Sequence, residues 1–312
     1  MTLIPRTDFD VFPLNLGTNP FGWTADRDES FAILDAFVEA GGNFVDSADI
    51  YSMWAEGNSG GESEEIIGQW LASRGADKLI VATKSGGHPS SEGRSREATY
   101  RAVDDSLRRL GLETIDIFYY HYDDENIPLA EQAATAESLI RDGRIRHLAL
   151  SNYRPERMRE FFEITQGSAA FPVAVQPQYN LLHRTDYEDS YRPLAEEFQA
   201  ASFPYFALAS GVLTGKYRSK ADLEGRARQG FAEDLVTDDA LRVVDALVEV
   251  AESADSAPTT VALAWLLTKG VTAPIASVST PDQLPELMAA PELRLDDAAV
   301  ARLDEASAPF AG

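Results

Sequence analysis

The chain contains no cysteine, which excludes a disulfide framework and any thiolate metal site. Its four histidines are scattered, and none stands in a paired ligand spacing such as HExxH, so no metal centre is expected. Long apolar runs are also missing. No stretch approaches the roughly 18 residues that a membrane span requires, and residues 1–6 lack the basic region followed by an apolar one that marks an export signal. A cytoplasmic chain with no membrane partner is expected. Positive charge is scarce as well, with 27 Lys and Arg against 51 Asp and Glu and a formal net charge of -24. A surface of that sign repels phosphate backbones, which argues against nucleic acid as a partner. Acidity of this kind serves solubility and carries no information about substrate.

What is present is a core-forming composition: 312 residues, 44% of them hydrophobic, enough to bury a large interior. Short runs rich in branched and aromatic residues occur at residues 12–18, 43–46, 79–84, 115–121, 145–151, 173–178, 203–208 and 271–278, separated by helix-patterned segments. This alternation over such a length predicts a (β/α)8 TIM barrel, an α/β fold, in preference to a doubly wound sheet. No Pro/Gly/Ser-rich linker interrupts the series, so one domain spanning residues 1–312 is expected. A short β-hairpin is expected ahead of the barrel at residues 7–11, and the polar segment 217–237 is long enough to be a lid or clasp. Helical spacing puts Phe31, Leu34 and Val38 on one face of a helix that opens near Asp28 and stops at Gly41. Val103, Leu107 and Leu110 share a face in the same way before Gly111.

Four polar residues, Asp46, Tyr51, Lys84 and His121, stand at or just beyond the ends of three successive runs. In a barrel the carboxyl ends of the strands meet on one face, where barrel enzymes keep their chemistry. Strand alternation puts Ile80, Ala82 and Lys84 on one side of their run, and Ile115, Ile117, Tyr119 and His121 on one side of theirs, so Lys84 and His121 both point inward. A buried lysine needs a partner, and Asp46 is the available carboxylate. An ammonium beside a phenol favours the phenolate, so the acidity of Tyr51 is expected to move down from about 10 toward working pH. A neutral His121 can orient the same substrate oxygen. Each residue alone has an ordinary reading: Asp46 a turn cap, Lys84 a surface charge, Tyr51 a rim ring on Trp54, His121 a satisfied core histidine. Their joint placement at neighbouring strand ends favours proton donation to a carbonyl that receives hydride.

The motifs around these residues carry a resemblance. GGNFVDSADIY at residues 41–51, GESEEIIG at 61–68, IVATK at 80–84, and SLRRLG at 106–111 ahead of IDI at 115–117 and His121 resemble the signatures of the aldo-keto reductase family. The resemblance runs from LNLGT at 14–18 to about Met288, in the manner of the bacterial, potassium-channel-beta-subunit-like branch. It implies a barrel enzyme, an NADP(H)-dependent oxidoreductase that reduces aldehyde or ketone carbonyls to alcohols. It further implies that Tyr51 is the general acid, Lys84 and Asp46 its tuning pair, and His121 the substrate-orienting residue. The family binds its dinucleotide without a Rossmann motif, and this chain has no GxGxxG.

By the same resemblance the cofactor site includes Thr18, Asn19 and Asp46. Ser151 and Asn152 of LALSNY at 148–153, with Gln176 of VQPQYN at 175–180, would hold the nicotinamide carboxamide, and the ring of Tyr205 would pack on the nicotinamide. Phe206, Leu208, Ser210, Gly211 and Lys216, in and just before the small-residue loop LASGVLTGK at 208–216, would surround the pyrophosphate. One of Arg226 and Arg228 would reach it from the clasp. Ser277, Ser279, Gln283 and Glu286 would meet the adenosine end. Within IASVSTPDQ at 275–283 there is no lysine or arginine, which family members that prefer the phosphorylated cofactor usually carry there. NADPH is the cofactor that the resemblance implies, and the missing cation makes NADH the competing one. Two further departures are Phe206 and Ala207, where many members have serine and proline, and Leu287 in a position often held by asparagine. Trp23, Trp54, Tyr122 and Tyr179 are candidate pocket walls for a small carbonyl substrate, apolar or sugar-like. A nicotinamide-cofactor-binding regulatory or sensor protein with little turnover is the alternative. A barrel glycosidase using Asp46 with Asp49 or Asp123 is disfavoured, because Lys84 would hold Asp46 ionised.

Overall fold

Apolar runs whose alternate residues face the barrel interior and the helix layer become strands, and the glycine- and aspartate-capped segments between them become helices. The computed structural model describes residues 1–75, 79–225, 227 and 229–312. Among these residues the strands are β1 (Thr2–Leu3), β2 (Asp10–Val11), β3 (Asn15–Gly17), β4 (Phe44–Asp46), β5 (Ile80–Ser85), β6 (Ile115–Tyr120), β7 (Ile145–Ser151), β8 (Ala174–Gln176), β9 (Ala201–Ser202) and β10 (Ile275–Ala276). Strands β3 to β10 form one parallel sheet in the order β10-β3-β4-β5-β6-β7-β8-β9. Backbone bonds from Thr272 N to Ser202 O (3.0 Å) and from Ile275 N to Pro204 O (2.9 Å) join its two edges, so the sheet curls into a (β/α)8 barrel.

The helices are α1 (Arg27–Glu39), α2 (Glu62–Arg74), α3 (Arg96–Leu110), α4 (Leu129–Arg141), α5 (Pro155–Ile164), α6 (Arg192–Phe198), α7 (Gln229–Ala232), α8 (Asp238–Ser253), α9 (Pro258–Thr268), α10 (Leu284–Met288) and α11 (Asp297–Ala306). The Asp26 side chain accepts from Glu29 N to start α1, and Gly111 ends α3 in the left-handed region that residues with a Cβ avoid. The barrel interior is lined by Phe44, Ala82, Ile117, Tyr119, Ala149, Ala174, Ala201 and Phe203. Val45, Val81, Phe118, Leu148, Leu150 and Val175 point the other way, into the layer shared with the helices. The inward parity of β5 and β6 is the one read from their alternation.

Three expectations need correction. The hairpin is larger than residues 7–11, because β2 pairs antiparallel with β1, Thr2 opposite Val11. The seventh strand is Ala201–Ser202 and not 203–208: Pro204 has no N–H to give a ladder, and Phe206 turns to φ 59°, outside the extended region. The buried face of α1 is Ser30, Ile33, Leu34 and Phe37, one step around from the face predicted. Phe37 sets it by packing over Gly42, where an added Cβ would lie 2.3 Å from the ring, while Phe31 lies under the Arg27 guanidinium at 4.5 Å.

Candidate active site

Parallel register aligns the carboxyl ends of the barrel strands, and this alignment gathers the polar residues. Asp46 closes β4 opposite Ala82, Lys84 lies near the end of β5 opposite Tyr119, and Ser151 closes β7 opposite Gln176. His121 follows β6 directly, its N–H bonded to Ser85 O at 3.0 Å. Lys84 and Asp46 are fully buried, with side-chain exposures of 0%. The Lys84 ammonium donates to Asp46 Oδ2 at 2.5 Å, to the Ser47 carbonyl at 2.7 Å and to the Tyr51 hydroxyl at 2.7 Å. Tyr51 donates in turn to Asp46 Oδ2 at 3.3 Å. Gln176 Nε2 holds the other carboxylate oxygen at 2.8 Å. All three donors of the ammonium and both oxygens of the carboxylate are thereby engaged, which is the condition for keeping a charge pair out of water.

The electrostatics correct one expectation. Tyr51, whose ring reaches the mouth while its hydroxyl faces Lys84 and Asp46, is raised well above 10 by burial first and by the Asp46 charge and hydrogen bond second. The neighbouring lysine does not draw the resting phenol down, because desolvation outweighs it and Asp46 stands at the same oxygen. Burial also lowers Lys84 from its ordinary value, against the opposing pull of Asp46, Asp49 and Glu64. His121 is held well below 6.5 by burial, then by Lys84 and Arg94, so its ring is neutral. Its Nδ1 has no hydrogen-bond partner among the described residues.

The described residues of the expected cofactor set stand at or beyond the carboxyl ends of β3, β4, β7, β8, β9 and β10. Thr18 Oγ1 donates to the Asp46 carbonyl at 2.9 Å and accepts from Ser63 at 2.7 Å, bracing β4. The Asn19 carbonyl accepts from Ser52 Oγ at 3.3 Å. Asn152, at φ 53°, donates to His121 O at 2.9 Å and accepts from the Tyr205 hydroxyl at 3.0 Å, while Ser151 donates to Gln176 O at 2.9 Å. Phe206, Ala209, Ser210 and Gly211 all have positive φ, so the loop after Leu208 is a tight left-handed run of mostly small residues. Beyond β10, Ser277 is partly buried, Ser279 bonds Thr24 at 2.8 Å and is capped by Gln283, and Glu286 is exposed. Arg226 and Arg228 lie outside the described residues.

Trp23 and Trp54 meet edge to face at 5.7 Å, Trp54 meets the Tyr51 ring at 6.1 Å and Tyr122 stacks on His121 at 4.4 Å, which puts these three rings beside Tyr51 and His121. Tyr179 is not among them. It is fully buried, stacked on Tyr187 at 4.1 Å, with its hydroxyl on Glu188. It shares the parity of Val175, which faces the helix layer, and its ring packs in that same layer.

Sequence reasoning missed a second buried charged group beside the first. Asp49 is enclosed at 1% exposure, with neither carboxylate oxygen in hydrogen-bonding geometry among the described residues. Burial and the Glu64 charge push it up to about 7, against Arg94, the Gly86 N–H and Arg109. Arg94 is as deeply buried, donating to the Ser85 carbonyl and lying over Tyr120 at 4.7 Å. Glu64 is paired with Arg109 and Thr83. The sequence signal was the DSAD tetrapeptide at 46–49, two acids on opposite sides of one turn.

A buried lysine, aspartate and tyrosine in contact at the mouth of a parallel eight-stranded barrel define an oxidoreductase class. Residues 13–308 match the Aldo/keto reductase family, and the chain belongs to that family, which uses nicotinamide cofactors and acts on small carbonyl compounds. Among its relatives, the L-glyceraldehyde 3-phosphate reductase of Escherichia coli (strain K12) is 31% identical over 288 residues, covering 88% of this chain and 82% of that protein. A probable voltage-gated potassium channel subunit beta of Oryza sativa subsp. japonica is 29% identical, covering 86% and 84%. A probable aryl-alcohol dehydrogenase of Saccharomyces cerevisiae is 29% identical, covering 78% and 76%. Among the described residues, no helix is long and apolar enough to cross a membrane.

Proposed function

We propose that this chain is a cytoplasmic, NADP(H)-dependent reductase that converts an aldehyde or ketone to the alcohol, with Tyr51 as the proton donor. The observation that carries this reading is the buried Lys84 ammonium in contact with the Tyr51 hydroxyl at 2.7 Å and with Asp46 at 2.5 Å. A general acid must hold its proton when substrate arrives, and the raised affinity of Tyr51 keeps it loaded through the working range. As charge grows on the carbonyl oxygen the phenol releases that proton, and the ammonium stabilises the phenolate left behind. Asp46 fixes the ammonium, Gln176 fixes Asp46, and a neutral His121 donates an N–H toward the same oxygen.

The residues fit a nicotinamide dinucleotide. The positive-φ run through Ala209, Ser210 and Gly211 exposes backbone to close approach, and an added Cβ at Gly211 would crowd Lys216 Nζ at 3.2 Å. Lys216 and that backbone would hold the phosphates, and Asn152, Gln176 and Tyr205 the nicotinamide end. When bound, the dinucleotide supplies the hydride. NADPH is the proposed form, and NADH is its competitor because residues 275–283 offer hydroxyls and no cation.

Titrating the protein with NADPH and with NADH by fluorescence identifies the tighter donor. A carbonyl panel that includes glyceraldehyde 3-phosphate and aryl aldehydes should then oxidise it, followed at the nicotinamide absorbance band. Tight cofactor binding without turnover on any carbonyl would contradict the reductase reading and favour a cofactor sensor.

A further inference from the structure

Among the described residues the exposed aromatic rings are Trp54, Tyr122, Phe206 and Phe231. All four lie in the connections that follow β4, β6 and β9, Phe231 within the short helix α7. Every other described aromatic ring is buried or half-buried. Exposed aromatic surface confined to one place marks a contact patch. Phe231 belongs to the segment 217–237, where Tyr217, Leu223, Ala232 and Val236 are buried in the core while the Phe231 ring stays exposed. Its ring meets Trp23 at 6.0 Å and Trp54 at 6.4 Å, each edge to face, and Trp23 meets Trp54 at 5.7 Å. Trp54 in turn meets the Tyr51 ring at 6.1 Å. A continuous series of rings therefore runs from the long segment to the proposed proton donor. Edge-to-face packing leaves much of it uncovered: Trp54 is 42% and Phe231 49% exposed although they touch.

Resting on the reductase reading, we propose that Trp54 and Phe231 form an aromatic wall that selects flat, uncharged aryl carbonyl compounds, with Phe231 as a specificity-determining residue. The nearby Lys84 ammonium is already bonded three ways, so the wall offers ring faces and edges rather than charge. Against such a wall an aliphatic carbonyl gains burial alone. An aryl ring gains in addition the ring-on-ring attraction, worth roughly two- to tenfold in affinity per contact. The carbonyl would then lie toward Tyr51 and the aryl group toward the long segment.

The test compares wild type with Phe231→Ala and Phe231→Leu, using benzaldehyde and propanal as substrates and the tighter nicotinamide donor. Phe231→Ala should raise KM for benzaldehyde about fivefold and KM for propanal by about twofold at most, with kcat within about twofold for both; Phe231→Leu should fall between. Equal changes with both substrates, or none, overturn the wall. Calorimetric binding of benzyl alcohol to cofactor-loaded protein reads the wall without turnover: weakening in Phe231→Ala supports it, and unchanged affinity overturns it. Wild type that binds benzyl alcohol in this Phe231-dependent way yet reduces no carbonyl would sink the reductase reading while the wall stands.

Discussion

The two ends of the barrel are built from the same strands and behave as opposites. At the amino end the β1–β2 hairpin brings Ile4, Phe9 and Val11 against the interior layer, and Phe9 packs edge to face on His147 at 5.4 Å. That end is an apolar plug. At the carboxyl end the interior stops at Asp46, Lys84 and His121, and five non-glycine residues in its loops, Ser52, Asn152, Phe206, Ala209 and Ser210, hold positive φ. Buried charge and unfavourable backbone both cost stability, and both are concentrated where chemistry is proposed. The difference teaches that the plug supports a mouth that would not stabilise the fold by itself.

Substitutions at the two ends should therefore separate stability from activity. The largest effect is expected from Lys84→Met, which leaves the Asp46 carboxylate buried without its cation. It should cost about 3 to 5 kcal/mol by urea denaturation and abolish carbonyl reduction; full stability would mean the pair is not the buried unit described. Next comes Phe9→Ala at the plug, with a loss of about 3 kcal/mol and kcat/KM within about twofold of wild type. A large fall in kcat/KM there would show that the ends are coupled.

The third test uses pH. Asp49 holds its proton up to about pH 7 in the native state but only to an ordinary value near 3.8 when unfolded. The native chain therefore loses stability as pH rises between those two values, and the deficit stays constant above them. Asp49→Asn should relieve it, raising stability at pH 8 by up to roughly 4 kcal/mol and changing little at pH 4. Identical gains at both pH values would mean that ionisation of Asp49 is not the cause.

How much of this could be read in advance follows the same division. The long strands β5, β6 and β7 are legible because their alternation is uninterrupted, and it is their ends that bring Lys84, His121 and Ser151 to the mouth. Strands β9 and β10 are only two residues long, beside Pro204 and Pro274, which accept bonds from Ile275 N and Asn15 N but have no N–H to donate, so the longer apolar runs overstate both strands. The contact of Asp46 with Lys84 follows from strand parity and the need of a buried lysine for a carboxylate. The direction of Tyr51 does not, because it depends on how far the hydroxyl is desolvated, a three-dimensional quantity. The burial of Asp49 and Arg94 depends on the same three-dimensional quantity. The contacts of Phe231 with Trp23 and Trp54 join residues far apart in the chain and are three-dimensional in the same way.

The most direct measurement is single-turnover hydride transfer, followed at the nicotinamide band, in wild type and in Tyr51→Phe. With the cofactor dissociation constant unchanged and the thermal midpoint preserved, the variant should transfer hydride about 10²- to 10⁴-fold more slowly. Equal rates in the two proteins would contradict the assignment of the proton to Tyr51, and with it the reading of the whole buried cluster.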